Sequence, residues 1–300
     1  MRPAEVDLTT LRILTALERT GSITAAADEV GLTQQAASRR LAAAERTWGV
    51  ALLRRGPRGS ALTEQGRQAA DLAEDVVRAA DRLTRAVDAL ARPHATLRVA
   101  ASLTIAEHLL PAWVLRLRAA EAADGRPPSA VEITAVNSAT AIARVREGAC
   151  DLALVETSDL PEDLAVRTLW QDELVLVVGA AHPWASTTRP VRLEDLAATP
   201  LVVREAGSGT RRSLQDALAR AGHEPVAPAA ELATTAAVRA AVQAGLAPAV
   251  LSHLAVDDDL RLGRLVRVPL ARRLTRPLSA VHAGNPSAGA RHLLNVAGAG

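Results

Sequence analysis

The chain contains no lysine, no phenylalanine and no tyrosine, and only one cysteine, Cys150. Each absence narrows what the protein can do. Without phenylalanine or tyrosine, modules that stack unpaired bases on aromatic faces lack support. A single cysteine permits no internal disulfide and no partner thiol for a metal cluster, which fits a reducing cytoplasm. Cys150 stands beside an expected strand start and reads as a buried structural thiol. The histidines at 94, 108, 182, 223, 253, 282 and 292 show no metal spacing. No metal, no cofactor and no enzymatic activity are therefore expected. No run of about 18 uncharged apolar residues occurs, so no membrane span is expected. The first residues turn acidic and lack an apolar export core. The expected location is the cytoplasm.

With neither lysine nor tyrosine, little titrates between histidine and arginine, so the formal charge of +2 is a better guide than the isoelectric point. Its distribution matters more than its sum. Between residues 32 and 62, Arg39, Arg40, Arg46, Arg54, Arg55 and Arg58 face Glu45 alone. From Pro93 onward acids and arginines balance. A local basic footprint suits a nucleic-acid contact surface.

The first ninety residues read as helices. Leu8, Leu11, Ile13, Leu14 and Leu17 supply an apolar face, and Gly21-Ser22 stops one helix and caps the next. A short helix over 23–30 ends at Gly31, where a left-handed residue is cheap. Its Ala25-Ala26-Ala27 run lets another helix cross closely. Thr33 caps a helix running to about residue 46, and the Gly/Arg-rich stretch over 54–60 is loop. This is the layout of a helix-turn-helix. The second helix opens TQQAASRR from Thr33. Gln34 and Gln35 suit bidentate pairing with adenine, and Ser38 suits a base or a phosphate. Ser22, Thr33, Arg39 and Arg40 suit phosphates, while Leu41 and Ala44 face inward. Arg55 and Arg58 belong to a hairpin tip that forms a wing. Singly, each of these residues reads more simply as a cap or a solvated charge; their order and spacing together make the motif.

Thr63 caps a long helix reaching about residue 91, with Gly66 its one weak point. Leu72, Val76, Ala79, Leu83, Ala86 and Leu90 follow a 4-3-4-3-4 spacing, the seam of a helix that packs along another helix. At ~1.5 Å per residue it is ~40 Å long. Arg92-Pro93 breaks it. Strand-like runs at 97–101, 131–136, 152–155, 174–179, 201–203, 249–251 and 278–281 then alternate with helical patterns at 105–120, 139–147, 210–221 and 236–244, an arrangement that argues a parallel-rich α/β sheet.

Residues 11–66 resemble the N-terminal domain of the LysR-type transcriptional regulators through the pattern L-R…G-S-x-x-x-A-A…Q-x-A-x-S-x-x-L…E…G…L-L-x-R…R…L-T-x-x-G. Ile13, Ile23 and Leu53 stand where that family usually has Phe, Ala37 where Val is common and Ala44 in place of Leu. These departures reduce core volume and spare the polar reading face. The segments beginning at Leu97, Asp172, His182 and Arg204 resemble landmarks of the family's effector domain. The resemblance implies an α plus α/β chain: a winged helix-turn-helix over 1–62, a linker and dimerisation helix over 63–92, and a two-lobed, periplasmic-binding-protein-like effector domain over 93–300. Lobe 1 would take about 93–160 and 269–300 and lobe 2 about 161–268, with crossings near Leu160 and at 267–270. It further implies homodimers or homotetramers on double-stranded DNA, a small-molecule inducer between the lobes and RNA polymerase as a candidate partner.

Ligands of open α/β sheets lie beyond the carboxyl ends of strands, where free helix amides favour an anion such as a carboxylate. Ser102, Thr104, Asn137, Ser138, Ser208, Gly209, Thr210, Thr234 and Thr235 occupy such places. The competing reading is capping: Thr104 and Glu107 have capping-box spacing, and Ser138 and Thr235 are candidate caps. Gly207-Ser-Gly-Thr lacks the Lys of a nucleotide loop. Asp257-Asp258-Asp259 reads as a solvated helix or turn. Two other classes stay open: a ligand-independent DNA-binding or architectural protein, and an enzyme or transport-type binding protein carrying a helical appendage.

Overall fold

The computed structural model describes residues 7–56, 59–91 and 96–298. The chain divides into two compact units, Met1–Asp88 and Ala89–Gly300. The first opens with helices α1 (Leu8–Thr20), α2 (Ile23–Val30) and α3 (Gln34–Trp48). Asp7, Ser22 and Thr33 cap them by accepting bonds from amides of the first turn. Gly31, at φ 73°, turns α2 into α3 in a conformation that strains any other residue. Ile13, Leu14 and Leu17 of α1, Ala26 and Ala27 of α2, and Ala37 and Leu41 of α3 form one buried core. Alanines at the crossing let these helices approach closely.

Strands β1 (Leu53–Gly56) and β2 (Gly59–Leu62) pair antiparallel as the wing, with Leu53 opposite Leu62. Glu45, the single acid of the basic stretch, ties the wing to α3: its Oε1 accepts the Leu52 and Leu53 amides at 2.8 and 2.9 Å. Helix α4 (Glu64–Ala91) follows, capped by Thr63, whose hydroxyl accepts the Gly66 amide at 2.9 Å. Ala70 and Ala73 join the core of the unit, and Arg12 of α1 pairs with Asp81. On the other side of α4, Leu72, Val76, Leu83 and Val87 are exposed.

The second unit begins with β3 (Leu97–Ser102), α5 (Leu103–His108), α6 (Leu110–Ala123), β4 (Val131–Val136), α7 (Ser138–Arg146) and β5 (Leu152–Val155). It continues through β6 (Ala165–Val178), α8 (Leu193–Ala197), β7 (Val202–Arg204), α9 (Gly209–Arg220), β8 (Ala230–Leu232), α10 (Thr235–Gln243) and β9 (Ala249–Ser252). It ends with α11 (His253–Arg261), β10 (Val266–Val268), β11 (Leu274–His282) and α12 (Ala288–Ala297). A seven-stranded sheet runs β10-β6-β11-β5-β3-β4, with β9 also on β6; β7 and β8 pair separately. Alternation decides which helices cover which face. Val99, Ala101, Leu152, Leu154, Leu278 and Ala280 meet α6 and α12, while Ala100, Ala153, Val155 and Val281 meet α7. At the other end, Leu174, Leu176 and Val178 meet α8 and α9, and Val175 and Val177 meet α10 and α11.

Several expectations need correction. The helix anticipated over 105–120 breaks at Leu109 into α5 and α6, with Pro111 in the first turn of α6. Strands anticipated over 174–179 and 278–281 are the ends of two longer ones, β6 and β11. These pair antiparallel from Leu274 opposite Leu174 to His282 opposite Ala165. The chain therefore passes between the two ends of the sheet inside hydrogen-bonded strands, later than Leu160 and later than 267–270. Of the three aspartates at 257–259, all in α11, Asp259 is buried between Arg239 and Arg264. The break at Arg92-Pro93 lies outside the described residues.

Gly66 is a contact, not a weakness. A Cβ there would stand 2.2 Å from the Leu52 carbonyl oxygen, which the Thr63 amide already binds at 2.9 Å. Helix propensity alone would make Gly66→Ala stabilising by about 1 kcal/mol. Overpacking against fixed backbone makes it destabilising instead, by about 1–3 kcal/mol. Denaturant unfolding decides the sign.

Candidate functional site

In the first unit the start of α3 is the open face. Thr33, Gln34, Gln35, Arg39 and Arg40 are exposed and Ser38 is half-buried, while Ala37 and Leu41 point into the core. Ser22 and Thr33 accept capping bonds from Ala25 and Ala36 and keep their hydroxyl protons free to donate. Arg39 bonds back to the Gln35 carbonyl. Arg40 is held by Asp7 at 2.6 Å, so a phosphate would have to replace that carboxylate. Arg55 lies on β1, opposite Ser60. Arg58 lies outside the described residues.

In the second unit, β3 lies between β4 and β5, and their carboxyl ends bring Ser102, Asn137 and Glu156 to one edge. Of the hydroxyl residues expected there, Thr104 and Thr210 meet at Arg276 of β11, which is fully buried, while Thr234 is exposed at the start of α10. Arg276 Nε donates to Asp172 at 2.8 Å, its Nη1 to Thr210 at 2.7 Å and its Nη2 to Thr104 at 3.3 Å. Asp172 also accepts the Ser252 hydroxyl at 2.9 Å. Ser138 accepts the Glu156 amide at 3.2 Å. Gly209 leaves room for the Glu156 carbonyl, which a Cβ would approach to 1.9 Å. Thr235 accepts from Arg204, whose guanidinium also grips Glu205 in a bidentate pair.

The capping readings need correction. Thr104 is the second residue of α5, not a cap; the cap position is Ser102, which makes no capping bond. Asn137 caps α7 and Thr234 caps α10, which leaves Ser138 and Thr235 buried inside their helices. Ser102 and Ser208 have buried hydroxyls with no partner among the described residues.

Sequence reasoning missed Glu156, Asp172, Arg204 and Arg276. The available signal was charge inside apolar strands, as with Asp172 and Arg276. Glu156 is the odd member. Arg276 Nη2 lies 3.1 Å from its Oε2, yet without hydrogen-bond alignment. Arg276 and Asp172 already form a neutral pair, and Arg204 has Glu205, so Glu156 adds an unmatched buried carboxyl. Burial pushes that carboxyl above its usual range, against the pull of Arg276 and a Thr104 bond and with a push from Asp172. A cavity of about 450 Å³ opens beside this network, between α7, the chain after β5 and the start of α9.

A model of the LysR substrate binding domain matches residues 90–299, and a model of the bacterial regulatory helix-turn-helix protein, lysR family, matches 8–67. An HTH-type transcriptional regulator of Mycobacterium tuberculosis is 45% identical over 296 residues, covering 96% of this chain and 95% of the relative. Full-length CbnR complexed with its target DNA has a TM-score of 0.58 at 20% identity, covering 97% of this chain and 99% of that one. The Synechocystis PCC6803 CcmR regulatory domain in complex with 2-PG has a TM-score of 0.57 at 22% identity, covering 68% of this chain and 96% of that one.

A carboxyl whose value is raised by folding favours the folded state while it is protonated. The contribution of Glu156 is thus complete below its ordinary value of 4.5 and is lost as pH rises through the elevated one. Glu156→Gln is a fixed copy of the neutral acid. It is expected to resist denaturant better than the wild type near pH 8, with the gap closing towards about pH 4. A gap independent of pH would contradict the assignment.

Proposed function

The chain belongs to the family of LysR-type transcriptional regulators, and on that premise we propose that it binds duplex DNA sequence-specifically as a homo-oligomer and answers to a small anionic metabolite. It is a regulator, with a DNA-binding helix-turn-helix and an effector-binding domain, and not an enzyme. The carrying observation is the start of α3: polar, exposed and unobstructed on one side, and locked by Ala37 and Leu41 on the other. That geometry suits entry into the major groove, with Gln34, Gln35 and Ser38 at base edges and Ser22, Thr33, Arg39 and Arg40 at phosphates. Arg55 and Arg58 would serve the wing.

Leu72, Val76, Leu83 and Val87 form an apolar stripe on α4 that this chain leaves exposed. A second copy covering the stripe supports a dimer through residues 63–92, between a reading domain over 1–62 and an effector domain over 93–300. Effector in the cleft of that domain would shift one end of the sheet against the other and so alter the spacing of the reading heads. Ser102, Asn137, Ser208, Gly209 and the hydroxyls of 104, 138, 210, 234 and 235 would line that cleft. The working location would be the cytoplasm, with RNA polymerase as a further partner. The complexes of CbnR with DNA and of CcmR with 2-PG favour the same division of labour.

Arg58→Ala should weaken binding to all duplexes alike and reduce the salt slope by about one. Gln34→Ala should relax base choice at one operator position, worth about 1–3 kcal/mol. Anisotropy titrations across salt and operator variants read both; unchanged affinity and selectivity in both variants would reject the docking.

A metabolite panel tests the effector reading. A true effector at a hundredfold excess over its Kd stabilises the protein by about 2.7 kcal/mol, whereas a purely architectural domain answers to no member.

A further inference from the structure

The basic stretch around α3 is not uniformly free. Among the described residues, Arg39, Arg46 and Arg54 form no ion pair, whereas Arg40 gives its guanidinium to Asp7, 33 residues earlier in the chain. Asp7 is the cap of α1, and several donors converge on its carboxylate. Oδ2 accepts Arg40 Nη1 at 2.6 Å, the Thr10 hydroxyl at 2.8 Å and the Thr10 amide at 3.2 Å, and Oδ1 accepts the Thr9 amide at 3.3 Å. A guanidinium, a hydroxyl and the amides of a helix start are the donors that a DNA-binding surface offers to a backbone phosphate. Here an anion of the protein's own meets them. Partial burial pushes the Asp7 carboxyl up, but the Thr10 and Thr9 bonds and Arg40 outweigh it and hold the carboxyl below its ordinary value. Asp7 is thus charged near neutrality. Both side chains of the pair are about half exposed, so an arriving phosphate reaches them without unfolding, and an ion pair so exposed is weak enough to be exchanged.

We propose that Asp7 stands in for a DNA phosphate at Arg40, that duplex DNA takes this place by displacing it, and that Asp7 thereby limits the protein's grip on any duplex. The Asp7–Arg40 pair carries no net charge and adds nothing to the attraction of a distant polyanion. Gln34 and Gln35 of the same helix are exposed and take no part in the exchange. What Asp7 withholds is therefore affinity common to every sequence. This inference rests on the docking of α3 read above and adds a residue which that docking does not use.

Anisotropy titration of the full-length protein with a fluorescent duplex of mixed sequence, repeated across salt, tests it. Asn and Ser cap helices about as well as Asp, so Asp7→Asn and Asp7→Ser keep α1 and remove the charge. Each should tighten binding about two- to fivefold, the worth of an exposed ion pair that no longer has to be broken. Each should also steepen the salt slope by up to about 0.9. The gain should vanish without its arginine: Asp7→Asn added to Arg40→Gln should bind like Arg40→Gln alone. Arg40→Gln by itself should cost less than Arg39→Gln, because the Arg40 contact must first be freed; an equal cost overturns the exchange even if the Asp7 variants fold poorly. A gain that persists beside Arg40→Gln means that Asp7 only repels DNA through space, and overturns it too. Weaker binding by both Asp7 variants at an unchanged melting temperature means that Asp7 holds Arg40 ready for DNA, the opposite role. A wild type without salt-sensitive binding removes the docking itself; wild-type binding that neither Asp7 variant alters removes this inference alone.

Discussion

A guanidinium withdrawn from water is tolerable only where oxygens meet its donors. Arg276 satisfies that condition by drawing on three parts of the fold. Asp172 comes from the neighbouring strand, directly opposite in the sheet register. Thr104 comes from the helix after β3, and Thr210 from the first turn of α9. Those helices serve opposite ends of the sheet: α5 packs with the core of β3 and β5, and α9 with that of β6 and β9. One side chain therefore fixes how far apart the two ends stand, at the place where β6 and β11 carry the chain between them. Any ligand that changes that separation works against this set of bonds.

The first unit was legible because its signals are local. Asp7, Ser22 and Thr33 cap helices within three residues of themselves, and left-handed glycines end them. The central strands were legible for a different reason. Strands buried on both faces become apolar runs, unbroken in 152–155 and interrupted in 97–101 by Arg98 alone, which pairs with Asp151. Where β6 leaves the shelter of helices, its residues 165–171 mix apolar with polar side chains and are largely exposed, and the strand pattern fades although the pairing with β11 continues.

The site was legible by position and not by role. The ends of β3, β4 and β5 bring Ser102, Asn137 and Glu156 to one edge, as the alternation of elements implies, whereas Thr234 and Thr235 follow β8 of the separate two-stranded sheet. What each hydroxyl binds depends on partners distant in sequence: Arg276 lies 172 residues from Thr104, 104 from Asp172 and 66 from Thr210. No periodicity encodes such pairs. The same ignorance misassigned the caps. A one-residue shift of a helix start moves the capping task from Ser138 to Asn137 and from Thr235 to Thr234, and turns two presumed surface caps into buried bonds.

The missing lysine has its own consequence here. A buried ammonium can surrender its proton and so remove a charge from an apolar place, but a guanidinium keeps its charge throughout the physiological range. Arg276 and Arg204 are therefore fixed positive charges, and neutrality in the cleft falls to the carboxyls around them. Asp172 and Glu205 are matched by direct bidentate or two-nitrogen contacts. Glu156 is not, and its second oxygen lacks an aligned donor. The charge of the inner cleft is thus decided at one carboxyl. While that carboxyl holds its proton the cluster is neutral; without it, the cluster carries one negative charge that no guanidinium matches.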